Sequence, residues 1–521
     1  MKRQSTLAKI TSFALAASFL LGGCSIGTQV APAAPASYAE SAAMEAPAAA
    51  YYPDAPADMF FEEYGVRGFV TTAKDNLSTF AVDVDSGSYT VARSYVQEGW
   101  LPPEDAVRAE EFINYFDYQY PNPEADAAFG ITLDGAPFPF AERAANRMLR
   151  VGIQGYDVPA DERQDVALTF VIDVSGSMDE DNRLGLAKRA LYLLVDQLRP
   201  TDRVAIVVYG SNARTVLEMT PVSEKQAILN GINRLVAEGS TNAAAGLWLG
   251  YRVASENFDP AAANRVVLLS DGVANVGPTG PDDILAVIKE HAAEGIALTT
   301  VGLGMGNYND TLMEQLADDG DGFYAYVDSM QEAERIFVDK LTGSLLTIAQ
   351  DAKIQVEFNP ETVERYRLVG YENRDVADDD FRNDEVDAGE IGAGHSVTAL
   401  YELELLPGIE EAKSLVATVR LRWEEPGTGE VIELEQPFTL GDLAAAFEAT
   451  APRFQLAVAV AEYAELLKHS PFAWEGSLAD LSTEVQRIDD LIAAAEGEHD
   501  ADVKELAQLI WLADSLQVAE Q

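Results

Sequence analysis

The feature that most constrains this chain is an alternation of strand-like and helix-like segments through its middle third. Short apolar runs typical of strands occupy residues 166–173, 204–209, 265–270, 296–302 and 323–327. Apolar residues recur at three- and four-residue spacing, which indicates helices, over 183–198, 224–236, 243–254, 281–294 and 331–346. Strands that are apolar on both faces and separated by helices form a mainly parallel sheet covered on both sides. The sequence therefore predicts a doubly wound α/β domain over residues 165–348.

Oxygen-bearing side chains cluster where the first of these strands ends. Asp173, Ser175 and Ser177 alternate there, and Gly176 lets the backbone bend tightly. In doubly wound sheets, ligands bind beyond the carboxyl ends of the strands. Carboxylate and hydroxyl oxygens are hard donors, which suit Mg²⁺, Mn²⁺ or Ca²⁺ better than a soft metal. The turn therefore predicts part of a site for a divalent cation.

Two later positions complete a recognisable set. Thr241 stands at the start of a predicted helix, and Asp271 stands at the end of a predicted strand. The five positions together resemble the metal-ion-dependent adhesion site of the von Willebrand factor A family, which is written Asp-x-Ser-x-Ser, then a threonine, then an aspartate. The resemblance implies that Ser175, Ser177 and Thr241 are hydroxyl ligands, and that Asp173 and Asp271 hold the metal directly or through water. It also implies Mg²⁺ as the expected metal, with Mn²⁺ or Ca²⁺ as alternatives, and one open coordination position for an acidic side chain of a protein partner.

Both flanks of the α/β domain carry different patterns. Residues 59–124 combine one strand-like and two helix-like stretches and predict a small α+β module. Strand patterns fill 130–159 and return over 351–440, and residues 450–521 predict helices. We expect the strands of 130–159 to join those after residue 351 in a β-sandwich, with the α/β domain inserted between them.

The N-terminus reads as an export signal. Lys2, Arg3 and Lys9 precede an apolar run over residues 10–21, which is too short to span a bilayer. The run ends in a sequence that resembles the bacterial lipobox, where a peptidase cuts before the cysteine and the cysteine sulfur receives a lipid. That residue is Cys24, the only cysteine of the chain. We therefore expect residues 1–24 to contain the signal, Cys24 to be the lipidated first mature residue, and the Ala- and Pro-rich residues 25–58 to be a tether.

Composition limits the partners. The 86 acidic and 36 basic residues give a formal net charge of −50. Such a charge opposes association with polyanions, so nucleic acid is not an expected partner. The membrane is expected as a partner only through the lipid anchor.

The resemblance to known proteins extends beyond the α/β domain. Segments 78–80, 101–103 and 114–118 resemble the N-terminal region of a family of bacterial von Willebrand factor A lipoproteins. Segments 371–374 and 387–395 resemble the C-terminal region of that family, whose function is unknown. This resemblance places the chain at the bacterial cell envelope, outside the cytoplasm.

The expected function is metal-dependent protein binding, for adhesion or assembly, without catalysis. A first alternative is a metal-dependent hydrolase, which needs a general base beside the open metal position; the sequence offers no obvious one. A second alternative is a structural envelope lipoprotein that acts through its flanking domains.

Four weaker motifs predict structure rather than a site. Residues 83–88 place oxygens at alternate positions but lack a following strand–helix series, so a capped turn is expected. Residues 302–306 do not have the spacing of a phosphate-binding loop. Residues 318–322 lack the closing glutamate of an EF-hand. His395 is expected to be a structural histidine.

Overall fold

The computed structural model describes residues 59–520, apart from 125–126, 142–144, 160–161, 273–280, 306–307, 341–342, 344, 387 and 410. The expected signal peptide, Cys24 and the tether lie outside the described residues. Within the described ranges, no helix has both the length and the apolarity needed to cross a membrane.

The middle of the chain folds as one six-stranded sheet with helices on both faces. The strands are β5 Asp165–Asp173, β6 Arg203–Tyr209, β7 Ala213–Pro221, β8 Ala262–Ser270, β9 Ile296–Leu303 and β10 Tyr324–Val327. The helices are α3 Arg183–Gln197, α4 Lys225–Asn233, α5 Ala243–Glu256, α6 Pro281–Ala293, α7 Asp310–Asp318 and α8 Met330–Glu334. The strand order is β10-β9-β8-β5-β6-β7, and every pair is parallel except β6 with β7.

The central strand shows why both faces must be covered. Phe170 and Ile172 of β5 point into one apolar core, which α3 and α4 cover, whereas Val171 points into the opposite core under α5, α6 and α7. All three side chains are fully buried. Alternate residues of a strand face opposite sides of its sheet, so a strand apolar at every position needs helices on both sides. The predicted doubly wound α/β fold is confirmed.

Two details of this domain differ from the prediction. No strand was expected at Ala213–Pro221, but this segment is the antiparallel edge strand β7. Its residues are mostly half-buried and mix polar with apolar side chains, so its apolar signal is weak. A long helix was expected over residues 331–346. The structure instead has the short α8, followed by a π-helical turn over Arg335–Asp339.

The strands on either side of the α/β domain form two further sheets. The first has the order β1-β12-β14-β4-β3, with β1 Val70–Thr71, β3 Phe129–Pro137, β4 Asn146–Gly155, β12 Val363–Val369 and β14 Ser396–Leu405. The second has the order β13-β11-β15-β16, and β2 also pairs with β11. Its strands are β2 Leu77–Ala81, β11 Thr347–Phe358, β13 Gly389–Gly392, β15 Leu415–Glu425 and β16 Glu430–Thr439.

These two sheets share one apolar core. Both sheets contain strands from before and from after the α/β domain. Val151 of β4, Ile354 of β11 and Tyr401 of β14 belong to that core. Strand β4 pairs antiparallel with β14. The chain therefore leaves the sandwich after β4, forms the α/β domain, and re-enters the sandwich at β11.

A helical layer completes the described structure. It comprises α1 Gly87–Gln97 and α2 Ala109–Tyr115 from the N-terminal part, and α9 Pro452–Leu467, α10 Leu478–Glu496 and α11 Ala501–Glu520 from the C-terminal part. Phe112 of α2, Val460 of α9 and Leu506 of α11 are fully buried in the same apolar core. Segments that precede and follow the α/β domain are thus packed together in the described structure.

One buried cation ties this helical layer to the α/β domain. The Arg93 guanidinium, on α1, donates to Asp328 at 2.7 Å and to Glu332 of α8 at 2.9 Å. It also donates to Glu505 of α11 at 3.2 Å. Arg93 therefore links helix α8 of the α/β domain to α1 and α11 of the helical layer.

Candidate metal centre

The first part of the candidate site is the turn that follows β5. Asp173, the last residue of β5, is fully buried, and its Oδ1 accepts a hydrogen bond of 2.7 Å from the Ser175 backbone N–H. This bond folds the chain back at the strand end, so the Ser175 and Ser177 hydroxyl oxygens come within 3.0 Å of each other. The alternating oxygens of the sequence motif therefore face one place.

The neighbouring strand supplies the second carboxylate. Strand β8 lies beside β5 and ends at Ser270, so Asp271 follows at the same edge of the sheet. The Ser177 hydroxyl donates to Asp271 Oδ1 at 3.1 Å, and the Ser270 hydroxyl donates to Asp173 Oδ2 at 3.0 Å. Four of the five predicted residues thus form one connected group.

The loop that carries Thr241 is connected to this group by backbone hydrogen bonds. The Gly176 N–H donates to the Gly239 carbonyl at 3.1 Å, and the Glu238 N–H donates to the Val174 carbonyl at 2.5 Å. Gly239 has a φ of +79°, and a Cβ there would lie 2.6 Å from a serine oxygen, so the loop fits only with glycine at this position. Thr241 follows two residues later, half-buried, just before α5. All five predicted residues therefore lie at one edge of the sheet, Asp173 as the last residue of β5 and the other four on loops.

Two carboxyl groups and one guanidinium cation determine the electrostatics of the site. Burial raises the pKa of the Asp173 carboxyl to about 6, against the effect of the Ser175 hydrogen bonds, and the charge of Asp271 raises it further. Arg183, the first residue of α3, donates to Asp271 Oδ2 at 2.8 Å. The Arg183 side chain is only 7% exposed. One carboxylate of the pair therefore has a resident counter-ion.

The donor set fits a hard divalent cation. Two carboxylates and three hydroxyls offer only oxygen, the element that Mg²⁺ and Ca²⁺ prefer as a ligand. Among the described residues, no group of three or more His, Cys, Asp or Glu side chains is placed to hold a metal. The candidate centre has two acids, so its other protein ligands would have to be hydroxyls.

Sequence reasoning missed two residues of the site, Ser270 and Arg183. Ser270 directly precedes Asp271, and its position at a strand end beside two predicted ligands was a usable signal. Arg183 lies 88 positions from Asp271 in the chain. Only the packing of α3 on the sheet brings these two side chains together.

The motif over residues 83–88 is part of the structural core. Asp83 and Asp85 are buried, and the Arg374 guanidinium lies 3.3 Å from Asp83 Oδ2 and 3.5 Å from Asp85 Oδ2. Asp85 also accepts the Tyr324 backbone N–H at 2.9 Å. Ser86 precedes α1 as its N-cap residue but makes no side-chain capping bond. The motif thus links the start of α1 to β10 through the Asp85 hydrogen bond. The expected side-chain cap of α1 is not formed by Ser86.

The other weak motifs also have structural surroundings. His395 is half-buried, and desolvation lowers the pKa of its ring to about 3, so it is neutral at ordinary pH. Gly304 has a φ of +77° and passes directly beside the Arg183 side chain. A Cβ on Gly322 would lie 1.7 Å from the Leu298 carbonyl oxygen, so this glycine is needed for close backbone packing.

Comparison with protein families covers almost all of the described chain. The model of the von Willebrand factor type A domain matches residues 167–339. A model described as von Willebrand factor matches residues 55–150, and the C-terminal model of the uncharacterized protein YfbK matches residues 343–516. The first of these spans the six-stranded sheet, and the other two span its flanks.

Several individual proteins are similar to this chain. The uncharacterized protein YfbK of Escherichia coli is 36% identical over 88% of this chain and 82% of its own length. Inter-alpha-trypsin inhibitor heavy chain H3 of Homo sapiens is 26% identical over 34% of this chain and 21% of its own length. Among solved structures, a von Willebrand factor type A protein from Catenulispora acidiphila is 17% identical, with a TM-score of 0.42 over 73% of this chain and 89% of that chain. The chain belongs to the family of bacterial von Willebrand factor A domain proteins that includes YfbK.

Proposed function

We propose that this protein is a metal-dependent protein-binding module, anchored by lipid to the outer side of a bacterial membrane, and that it acts in adhesion or assembly rather than in catalysis. The observation that carries the proposal is the connected group of Asp173, Ser175, Ser177 and Asp271 at one edge of the sheet. Thr241 stands on the loop bonded to the same turn. These are the residue types, in the order, of a metal-ion-dependent adhesion site.

The family resemblance suggests a role for each of these residues. Ser175, Ser177 and Thr241 would supply hydroxyl oxygens to Mg²⁺, with Mn²⁺ or Ca²⁺ as alternatives. Asp173 and Asp271 would supply charge, directly or through water, and Ser270 orients the Asp173 carboxylate. A bound divalent ion would attract a carboxylate of a protein partner to the open coordination position.

The remainder of the molecule would present this site. Lipidation of Cys24 and the tether of residues 25–58 would attach the folded part to the envelope at a distance from the bilayer. The net charge of −50 makes nucleic acid a poor partner. In membrane fractionation, a Cys24→Ala variant should lose its membrane association and the mass of a lipid; a variant that still fractionates with membranes would contradict the anchor.

The binding proposal is tested by crosslinking in intact cells. The full chain is crosslinked to its partner in Mg²⁺ and in EDTA, for the wild type, Asp173→Asn and the control Asp179→Asn. Asp179 is an exposed acid of the same turn, so the control removes the same charge without touching the candidate ligands. We expect the crosslink in Mg²⁺ for the wild type and Asp179→Asn only. A crosslink that survives both EDTA and Asp173→Asn would overturn the proposal.

A further inference from the structure

The guanidinium of Arg183 is built into the candidate metal centre. Its Nη1 donates to Asp271 Oδ2 at 2.8 Å, and its Nη2 donates to the Met305 carbonyl oxygen. Arg183 therefore connects a predicted metal ligand to the loop that follows β9. A cation already occupies one side of the carboxylate that a divalent metal would use.

The surrounding chain is shaped to hold this arginine. A Cβ on Gly304 would lie 2.3 Å from Arg183 Nε, and the φ of Gly304 is +77°. Any side chain at position 304 would therefore collide with Arg183 and would also strain the backbone. The contact of Arg183 with Asp271 is thus part of the packing and not a chance approach of a surface side chain.

Charge balance gives Arg183 an effect on metal affinity. Asp173 and Asp271 together provide two negative charges, and Arg183 neutralises one of them. A metal ion that binds Asp271 meets the positive charge of Arg183 a few ångströms away. Even with water-like screening, a unit charge at about 5 Å changes the affinity for a doubly charged ion roughly tenfold.

A second acid, Asp181, lies close to the Arg183 guanidinium. Asp181 Oδ2 lies 3.7 Å from Arg183 Nη2, and the Asp181 side chain is 88% exposed. Glu98, just after α1, also interacts with both Asp181 and Arg183, although it is exposed. A small displacement of Arg183 from Asp271 would therefore leave it among acidic groups on the outer side of the turn.

We propose that Arg183 is the internal counter-ion of this centre: it neutralises Asp271 when no metal is bound, and metal binding through Asp271 transfers the guanidinium towards Asp181. This inference rests on the proposed metal-dependent function. It assigns a regulatory role to a residue outside the five predicted ligands, because the strength of the Arg183 contact with Asp271 sets the metal concentration at which the centre fills.

The test is direct measurement of Mn²⁺ affinity by electron paramagnetic resonance on the full chain in detergent. Arg183→Gln removes the counter-ion, and Arg189→Gln is the matched control, because Arg189 is exposed on the same helix. We expect Arg183→Gln to bind Mn²⁺ at least tenfold more tightly than the wild type and Arg189→Gln to bind it equally. Equal or weaker binding by a folded Arg183→Gln variant would overturn the counter-ion role.

A second pair of variants decides the question if Arg183→Gln does not fold. Asp181→Asn removes the acid that receives the guanidinium, and Asp179→Asn removes a charge from the same exposed turn. We expect Asp181→Asn to weaken Mn²⁺ binding about threefold relative to Asp179→Asn; equal affinities would overturn the proposed transfer. Failure of the folded wild type to bind Mn²⁺ would overturn the metal centre itself, whereas binding that ignores both variant pairs would overturn only the role of Arg183.

Discussion

Replacing Arg93 by methionine should sharply destabilise the protein, because Arg93 is the buried link between three parts of the fold. Its side chain is 2% exposed and faces Asp328, Glu332 and Glu505, whose side chains are 8%, 1% and 25% exposed. Methionine fills part of the same volume but leaves Asp328 without its bidentate partner. Removing one partner of a buried ion pair costs about 3–5 kcal/mol, since the other charge stays desolvated. We therefore expect the free energy of unfolding to fall by about 3–5 kcal/mol.

Urea unfolding followed by tryptophan fluorescence measures this loss. Asp328→Asn in the Arg93→Met background should recover part of it, because the unpaired charge is then removed. Arg189→Met, at an exposed position, is the control and should change the free energy of unfolding by less than about 0.5 kcal/mol. A loss of less than about 1 kcal/mol for Arg93→Met, or losses that simply add in the double variant, would show that the buried ion pair does not stabilise the fold in this way.

The same variant has a predictable dependence on pH. Burial opposes ionisation of the Glu332 carboxyl, but Arg335 and Arg93 outweigh it and hold the Glu332 pKa below its usual 4.5. A carboxylate with a lowered folded-state pKa contributes stability that is present above pH 4.5 and is lost as the pH falls through the folded-state value. The difference between wild type and Arg93→Met should therefore shrink below pH 4.5. A difference that is constant from pH 7 to pH 3 would argue against this ionic origin.

Two further predictions concern the folded framework. Burial raises the pKa of the Glu462 carboxyl to about 8, which means that the folded chain holds this proton more tightly than the unfolded chain, and stability falls as the pH rises from 4.5 through 8. Glu462→Gln should thus raise the melting temperature at pH 8 and change it little at pH 4.5; an equal shift at both would contradict the buried-acid account. Gly322→Ala should lower the free energy of unfolding by about 1–3 kcal/mol, because its Cβ would meet the Leu298 carbonyl oxygen. The control Gly68→Ala should not lower it, because the space around Gly68 is open. Equal stability of the two alanine variants in urea unfolding would show that the chain at Gly322 relaxes freely.

The sheet of the α/β domain was predictable because its strands carry their signal locally. Phe170, Val171 and Ile172 are apolar in succession, and this pattern requires burial on both faces. The candidate metal turn was predictable for the same reason, since Asp173 and Ser175 are two positions apart and their hydrogen bond forms within one turn. Edge strand β7 was missed because its half-exposed face removes that apolar signal.

The remaining features depend on distant parts of the chain. Asn146 of β4 donates to Glu402 of β14 at 2.6 Å, although the two are 256 positions apart. Pairing of these strand groups was expected from the sequence, but the pairing partners and their register come from packing and not from local pattern. The contact between Arg183 and Asp271 is likewise invisible in the sequence, because an arginine at a helix start is usually solvated.

Crystals grown in Mn²⁺ test whether Asp173, Ser175, Ser177, Thr241 and Asp271 form one centre for a divalent cation. Diffraction data collected at the manganese absorption edge locate the ion by its anomalous signal. We expect one anomalous peak within about 2–2.5 Å of the Ser175 and Ser177 hydroxyl oxygens, and we expect its loss in crystals of Asp173→Asn. No peak at this turn in well-ordered wild-type crystals, or a peak that persists unchanged in Asp173→Asn, would contradict it.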